Sequence, residues 1–231
     1  MSWQESPPKS TSVDCSIVDL VFKITGQALP IDHAYALFQG LVRPLPWIQD
    51  DQWLGIHHVH IAESGNGWIR SDDHGILQLS GRARLVVRLH INMLDSARLL
   101  CGKHIAVDKH IIEIGTAKVR PLNPLNTVSA RHVVADQEIQ DEPKFLQWVN
   151  EQLNRLDITP IKLLCGKTRL VHTPTRTLQT RSLMIADLKT GESLALQQVG
   201  LGEGRKLGCG LFLPHRGIDA CLLYTSDAAD E

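Results

Sequence analysis

The sequence predicts an α+β fold made of two tandem ferredoxin-like (RRM-like, βαββαβ) domains. Three observations carry this. Two-residue alternation and helical periodicity succeed one another over residues 16–115 in the order strand, helix, strand, strand, helix, strand. The same order recurs, less regularly, over 116–218. A glycine-rich segment then closes the second half.

The elements follow in turn. From Ile17 to Ile24 the apolar residues Val18, Leu20, Phe22 and Ile24 alternate, giving a strand that Gly26 and Pro30 end. Asp32 is placed to cap a helix in which Ala34, Leu37, Phe38 and Leu41 share one face, and Pro44 and Pro46 stop it. A loop-rich stretch with short strands runs from Trp47 to Gln78. Arg84–His90 alternates again, with Arg84, Arg88 and His90 on a polar face that reads as solvated or RNA-facing. Ile91–Leu100 reads as a second helix and Ile105–Ile114 as a hairpin or edge strand, with a domain boundary near Gly115. In the second half, Lys118–Val134 is extended and broken by prolines. Asp141 and Pro143 open a helix carrying Phe145, Trp148, Val149, Leu153 and Leu156. Strands near Ile161–Leu164 and Thr180–Leu188, a helix over Ser193–Val199 and a strand over Leu207–Leu213 complete it. Residues 1–15 read as a disordered N-terminus and 219–231 as a non-native-looking tail.

Composition narrows the function. At 43% hydrophobic residues, the 231-residue chain can bury a sizeable core. A net charge of −1 excludes a generally basic nucleic-acid binder, so any RNA site is a local patch. One exists: residues 162–216 hold nine Lys/Arg against three Asp/Glu. Five cysteines, an odd number without a C-x-x-C pair, argue against a disulfide framework or structural zinc and for a reducing cytoplasm. No apolar run is long enough for a membrane span, and the polar N-terminus does not read as a signal peptide.

The sharpest motif is Gly200-Leu-Gly202-Glu-Gly204-Arg205-Lys206-Leu-Gly208-Cys-Gly210, five glycines in eleven residues. Glycine lets a backbone approach phosphate closely, and the two cations add charge there. A dinucleotide fingerprint fails because position 205 is Arg and a strand follows; a Walker loop ending at Gly166-Lys-Thr168 fails because position 161 is Ile. The G-h-G, five residues, G-h-G spacing (h apolar) resembles the C-terminal signature of the RAMP superfamily. Leu29–Tyr35, Ala117–Leu122, Thr180–Met184, Leu196–Gln198 and Leu207–His215 extend the likeness. Together they resemble the CRISPR-associated "Cas six" repeat endoribonucleases, in the myxobacterial-type branch, over about Ile17–Ile218. That resemblance implies cleavage of CRISPR repeat RNA without metal or other cofactor. It also implies product retention in an interference complex, whose subunits would be further partners.

Cleavage by the RNA's own 2′-hydroxyl needs a base, an acid and cationic stabilisation of the phosphorane. His33, beside the helix N-terminus, is the expected base: the helix end favours neutral imidazole, and the resembling family commonly places its histidine near this first helix. His57 is a candidate acid, although a polar strand face also explains His57, His58 and His60. A metal site on these three lacks convincing further ligands. Gly200, Gly202, Gly204, Arg205, Lys206, Gly208 and Gly210 are expected to hold RNA, with Arg181 and Arg120 as weaker phosphate contacts. Two alternatives stay open: a non-catalytic RNA-binding subunit, and a metal-dependent hydrolase using the 57–60 histidines.

Overall fold

The computed structural model describes residues 16–59, 75–134, 141–159 and 162–216. The expected disordered N-terminus, His60 and the expected tail lie outside these residues.

The first half contains β1 (Ile17–Thr25), β2 (Ala28–Pro30), α1 (Ala34–Val42), β3 (Gly55–Ile56), β4 (Ile76–Gln78), β5 (Arg84–His90), α2 (Leu94–Arg98), β6 (His104–Val107) and β7 (His110–Pro121). Its main sheet has the order β3-β5-β1-β7-β6, with a small β2-β4 ladder beside it. The second half contains β8 (Val128–Val134), α3 (Glu142–Asn154), β9 (Lys162–His172), β10 (Thr177–Ala186), α4 (Thr190–Val199) and β11 (Leu213–Pro214), in a sheet ordered β11-β8-β10-β9. The two outer strands of each βαββαβ unit flank its two inner ones, and neighbouring strands run antiparallel. This is the ferredoxin-like arrangement, once in each half.

Periodicity explains the cores. On β1 the alternating Leu20, Phe22 and Ile24 are fully buried, and α1 sets Leu37, Phe38 and Leu41 against them. Gly40 lets α1 lie on β6: a Cβ there would stand 2.4 Å from the Ala106 carbonyl oxygen. In the second half Phe145, Val149 and Leu153 of α3 pack onto Val128, Ala130, Leu183 and Ile185. The glycine-rich segment belongs to both cores. Leu201 and Phe212 enter the second, whereas Leu207 and Cys209 enter the first.

Three expectations change. Gly115 lies inside β7, beside the register shift between Phe22 and Ile24, so the strand continues to Pro121 and the break between halves falls in 122–127. The strand expected over Leu207–Leu213 is instead a 3₁₀ turn at Arg205–Leu207, a loop and the two-residue β11. Positive φ at Gly208 and Gly210, 78° and 66°, takes the chain out of the extended conformation there. Finally, Arg88 is neither solvated nor exposed to a ligand: its relative exposure is 0%.

Candidate active site

Arg88 explains how the halves are joined. It lies opposite Asp19 in the β1–β5 register, and Arg120 lies opposite Asp19 on the other side. These three charges therefore form a row across the sheet on one face. Arg88 donates through Nε and Nη2 to the Asp19 carboxylate at 2.8 and 3.2 Å. Its Nη1 crosses to the second half, donating to the carbonyls of Gln197 and Phe212 at 2.7 and 2.9 Å. Burial pushes the Asp19 pKa up, but Arg88, His57 and Arg120 outweigh it and hold the carboxyl at about 2. A cleft of about 600 Å³ opens here, lined by Asp19, Arg120, Asn123, Gln197 and Pro214 among others. Arg120 keeps its side chain half exposed on this cleft while pairing with Asp19 at 3.0 Å.

The glycine-rich loop is a second seam, and its cations face inward. Arg205 and Lys206 are 2% and 5% exposed. Arg205 donates to the carbonyls of Val199, Gln198 and Trp53, and Lys206 reaches that of Gln49. Several of the loop's own amides are also engaged: those of Leu207 and Cys209 donate to Gly204 O, that of Gly208 to Arg205 O and that of Gly210 to His132 O. The Arg205 and Lys206 side chains, expected on phosphate, instead staple the loop to protein carbonyls. Gly200, Gly202, Gly204, Gly208 and Gly210 all have positive φ. At Gly210 a Cβ would stand 2.1 Å from the Leu201 carbonyl oxygen, so the glycine allows two strands of the loop to touch. Arg181 on β10 is half-buried, its Nη1 3.4 Å from Cys165 Sγ.

Beside the loop three histidines meet. His58 stacks on His132 with ring centroids 4.4 Å apart, and His33 meets His58 edge-on at 5.5 Å. Each comes from a different element: His33 caps α1, His58 follows β3, and His132 lies on β8. His58 Nε2 donates to the Leu207 carbonyl at 2.8 Å, fastening the cluster to the loop. Gly208 makes room for that ring: a Cβ there would approach His58 Cδ2 to 2.1 Å.

His33 differs from its expected state. It occupies the N-cap position itself, while Asp32 pairs with His172 on β9 at 2.5 Å. His33 is 2% exposed. Its Nδ1 donates to Pro30 O at 2.8 Å, and its Nε2 accepts the Val59 N–H at 3.0 Å. Burial therefore lowers its pKa, and both nitrogens are used by the backbone in this conformation. His57 points the other way, its Nε2 3.9 Å from Asp19 Oδ1. His33 and His57 are consequently not brought together. The structure instead unites His33 with His58, of the polar strand face, and with His132 on β8. Periodicity could not reveal His132, because its partners come from elements about 70 to 100 residues away.

His132 is partly exposed, with Arg131 and Arg169 exposed near it. Burial, then the charges of Arg169 and Arg131, lower its pKa to about 4. Neutral imidazole beside cations is a combination suited to proton transfer at a phosphodiester. Among the described residues no group of three His, Cys, Asp or Glu side chains is placed to hold a metal ion.

The family model described as "Cas6 Crispr" matches residues 18–217. The chain belongs to the Cas6 family. Over 197 residues it is 28% identical to the "CRISPR-associated endonuclease Cas6" of Myxococcus xanthus (strain DK1622), covering 85% of this chain and 81% of that one. Among solved structures, a "CRISPR associated protein Cas6" superposes with a TM-score of 0.62 at 12% identity, covering 87% of this chain and 100% of that one. The product of a Cas6-related gene from Pyrococcus furiosus gives 0.59 at 11%, covering 87% and 99%. At such identities these structures show the fold, the paired ferredoxin-like architecture of Cas6 and RAMP proteins. No helix among the described residues of this Cas6-family chain is long and apolar enough to cross a membrane.

Proposed function

We propose that this chain processes CRISPR precursor RNA by cutting within the repeat, without a metal, leaving a 2′,3′-cyclic phosphate and a 5′-hydroxyl. The observation that carries the reading is the histidine cluster: His33 and His132, whose pKa values burial lowers, meet through His58, which the glycine-rich loop fixes, and exposed arginines stand beside His132. In the reaction the 2′-oxygen forms a bond to the adjacent phosphorus as the phosphorus–5′-oxygen bond breaks. A base takes the 2′-hydroxyl proton and the departing oxygen gains one. Arg169 and Arg131 supply charge for the phosphorane, and Arg120 offers a phosphate contact along the interdomain cleft. His57 and His58, directed to Asp19 and Leu207, do not converge as metal ligands.

One observation favours a second reading, repeat-RNA binding without cleavage: both nitrogens of His33 are bonded to backbone. A single assay separates the two. Labelled repeat RNA incubated with the purified chain in excess EDTA is expected to be cut at an undiminished rate, with cyclic-phosphate ends. Binding without cutting supports the second reading. Activity lost in EDTA and restored by a divalent ion contradicts the metal-free mechanism.

A further inference from the structure

We infer that His132, and not His33, is the residue that takes the 2′-hydroxyl proton, with Thr180 fixing which of its nitrogens is free to do so. The inference rests on the cleavage reading above.

The Thr180 hydroxyl lies 3.0 Å from the Arg169 carbonyl oxygen, which can only accept. Thr180 therefore spends its one proton there. The same oxygen is 3.0 Å from His132 Nδ1, so it must accept a proton from that nitrogen. Neutral His132 thus carries its proton on Nδ1, and Nε2 keeps its lone pair. Nε2 makes no hydrogen bond among the described residues. Thr180 is 1% exposed, so this lock is shielded from water. The His58 ring, stacked 9° from parallel, holds the imidazole plane.

His33 lacks this arrangement, since its lone-pair nitrogen already accepts the Val59 amide. Its place is to shape the cluster, edge-on to His58. Groups facing His132 from the packed elements are Arg131 on its own strand, Arg169 on β9, and Asp32 and His33 at the start of α1. Burial first, and then the two arginines, keep its proton affinity low in the free protein. A bound phosphodiester offsets the arginines' share of that effect as the substrate arrives. In the step itself the 2′-hydroxyl proton passes to Nε2, the 2′-oxygen joins phosphorus, the 5′-oxygen leaves with the bond pair, and water supplies its proton.

The test is single-turnover cleavage of repeat RNA by the full chain. In His132→Asn the side-chain amide still donates toward Thr180 but no base remains. The rate is expected to fall about 10²–10⁴-fold with RNA affinity within about twofold, the usual worth of a positioned proton-transfer group. Thr180→Val, which unlocks the tautomer without touching RNA, is the second variant. It is expected to lower the rate at unchanged affinity and to shift the pH–rate profile. A His132→Asn chain that cuts at the wild-type rate overturns this assignment and leaves the cleavage reading standing. If that variant does not fold, a Thr180→Val chain with wild-type rate and pH profile overturns it equally. Wild-type protein that binds repeat RNA and never cuts it overturns both.

Discussion

Arg88→Ala is expected to cost about 3–5 kcal/mol of folding stability, the range for breaking a buried ion pair by removing one partner. Its neighbours determine that size. The truncation leaves Asp19, 2% exposed, paired with the half-exposed Arg120 guanidinium, with His57 Nε2 3.9 Å away. It also leaves the Gln197 and Phe212 carbonyls without the donor that ties the second half to the first. The loss carries a pH signature. In the wild type, Asp19 has a pKa lowered to about 2 from 3.8, so its stabilisation is complete above the unfolded value and fades as pH falls between them. Without Arg88 the burial effect prevails and the pKa rises above its unfolded value. The variant's deficit should then shrink on going from pH 7 to pH 4.5, where protonation removes the stranded charge. Urea unfolding at the two pH values measures this. A deficit below about 1 kcal/mol, equal at both, would mean the seam does not depend on the pair.

Gly208→Ala is expected to disable cleavage and cost about 1–3 kcal/mol, the range for a residue held in a strained backbone region. Gly208 has φ 78°, and a Cβ would meet His58 Cδ2 at 2.1 Å and the Ile56 carbonyl oxygen at 3.1 Å. The ring must leave its bond to Leu207, and His132 loses the surface it stacks on. Gly191→Ala is the control: nothing lies within 4 Å of a Cβ at that exposed position in α4, so stability and activity should hold. Thermal unfolding and single-turnover cleavage of both variants compare the two. Equal behaviour would remove the loop's role in positioning the cluster.

These contrasts show why parts of the molecule were legible in the sequence. Strand alternation at Leu20, Phe22 and Ile24 and helical spacing at Phe145, Val149 and Leu153 report burial against neighbouring elements, and burial has a period. The order of such elements is enough to give the paired ferredoxin-like fold. The glycine spacing was equally plain, and the family match over 18–217 agrees with it. What glycine spacing does not encode is direction. Arg205 and Lys206 look like phosphate ligands in one dimension, yet they fold inward because carbonyls left open by α4 and by the chain around Gln49 and Trp53 need donors. Arg88 was misread for a related reason. Alternation separates two faces of a strand, but it does not say that the second face meets another domain. His132 was invisible because a site assembled from α1, β8 and the chain after β3 has no local pattern.

In the proposed mechanism the RNA's own 2′-hydroxyl does the cutting, with histidine rather than metal moving the proton. A repeat RNA carrying one 2′-deoxy sugar at the cut site tests it most directly, measured for binding and for single-turnover cleavage beside the all-ribose strand. Unchanged affinity and no cleavage at that site are expected, because the nucleophile is gone. Cleavage of the 2′-deoxy strand at a comparable rate would show that water attacks instead, and would contradict the mechanism.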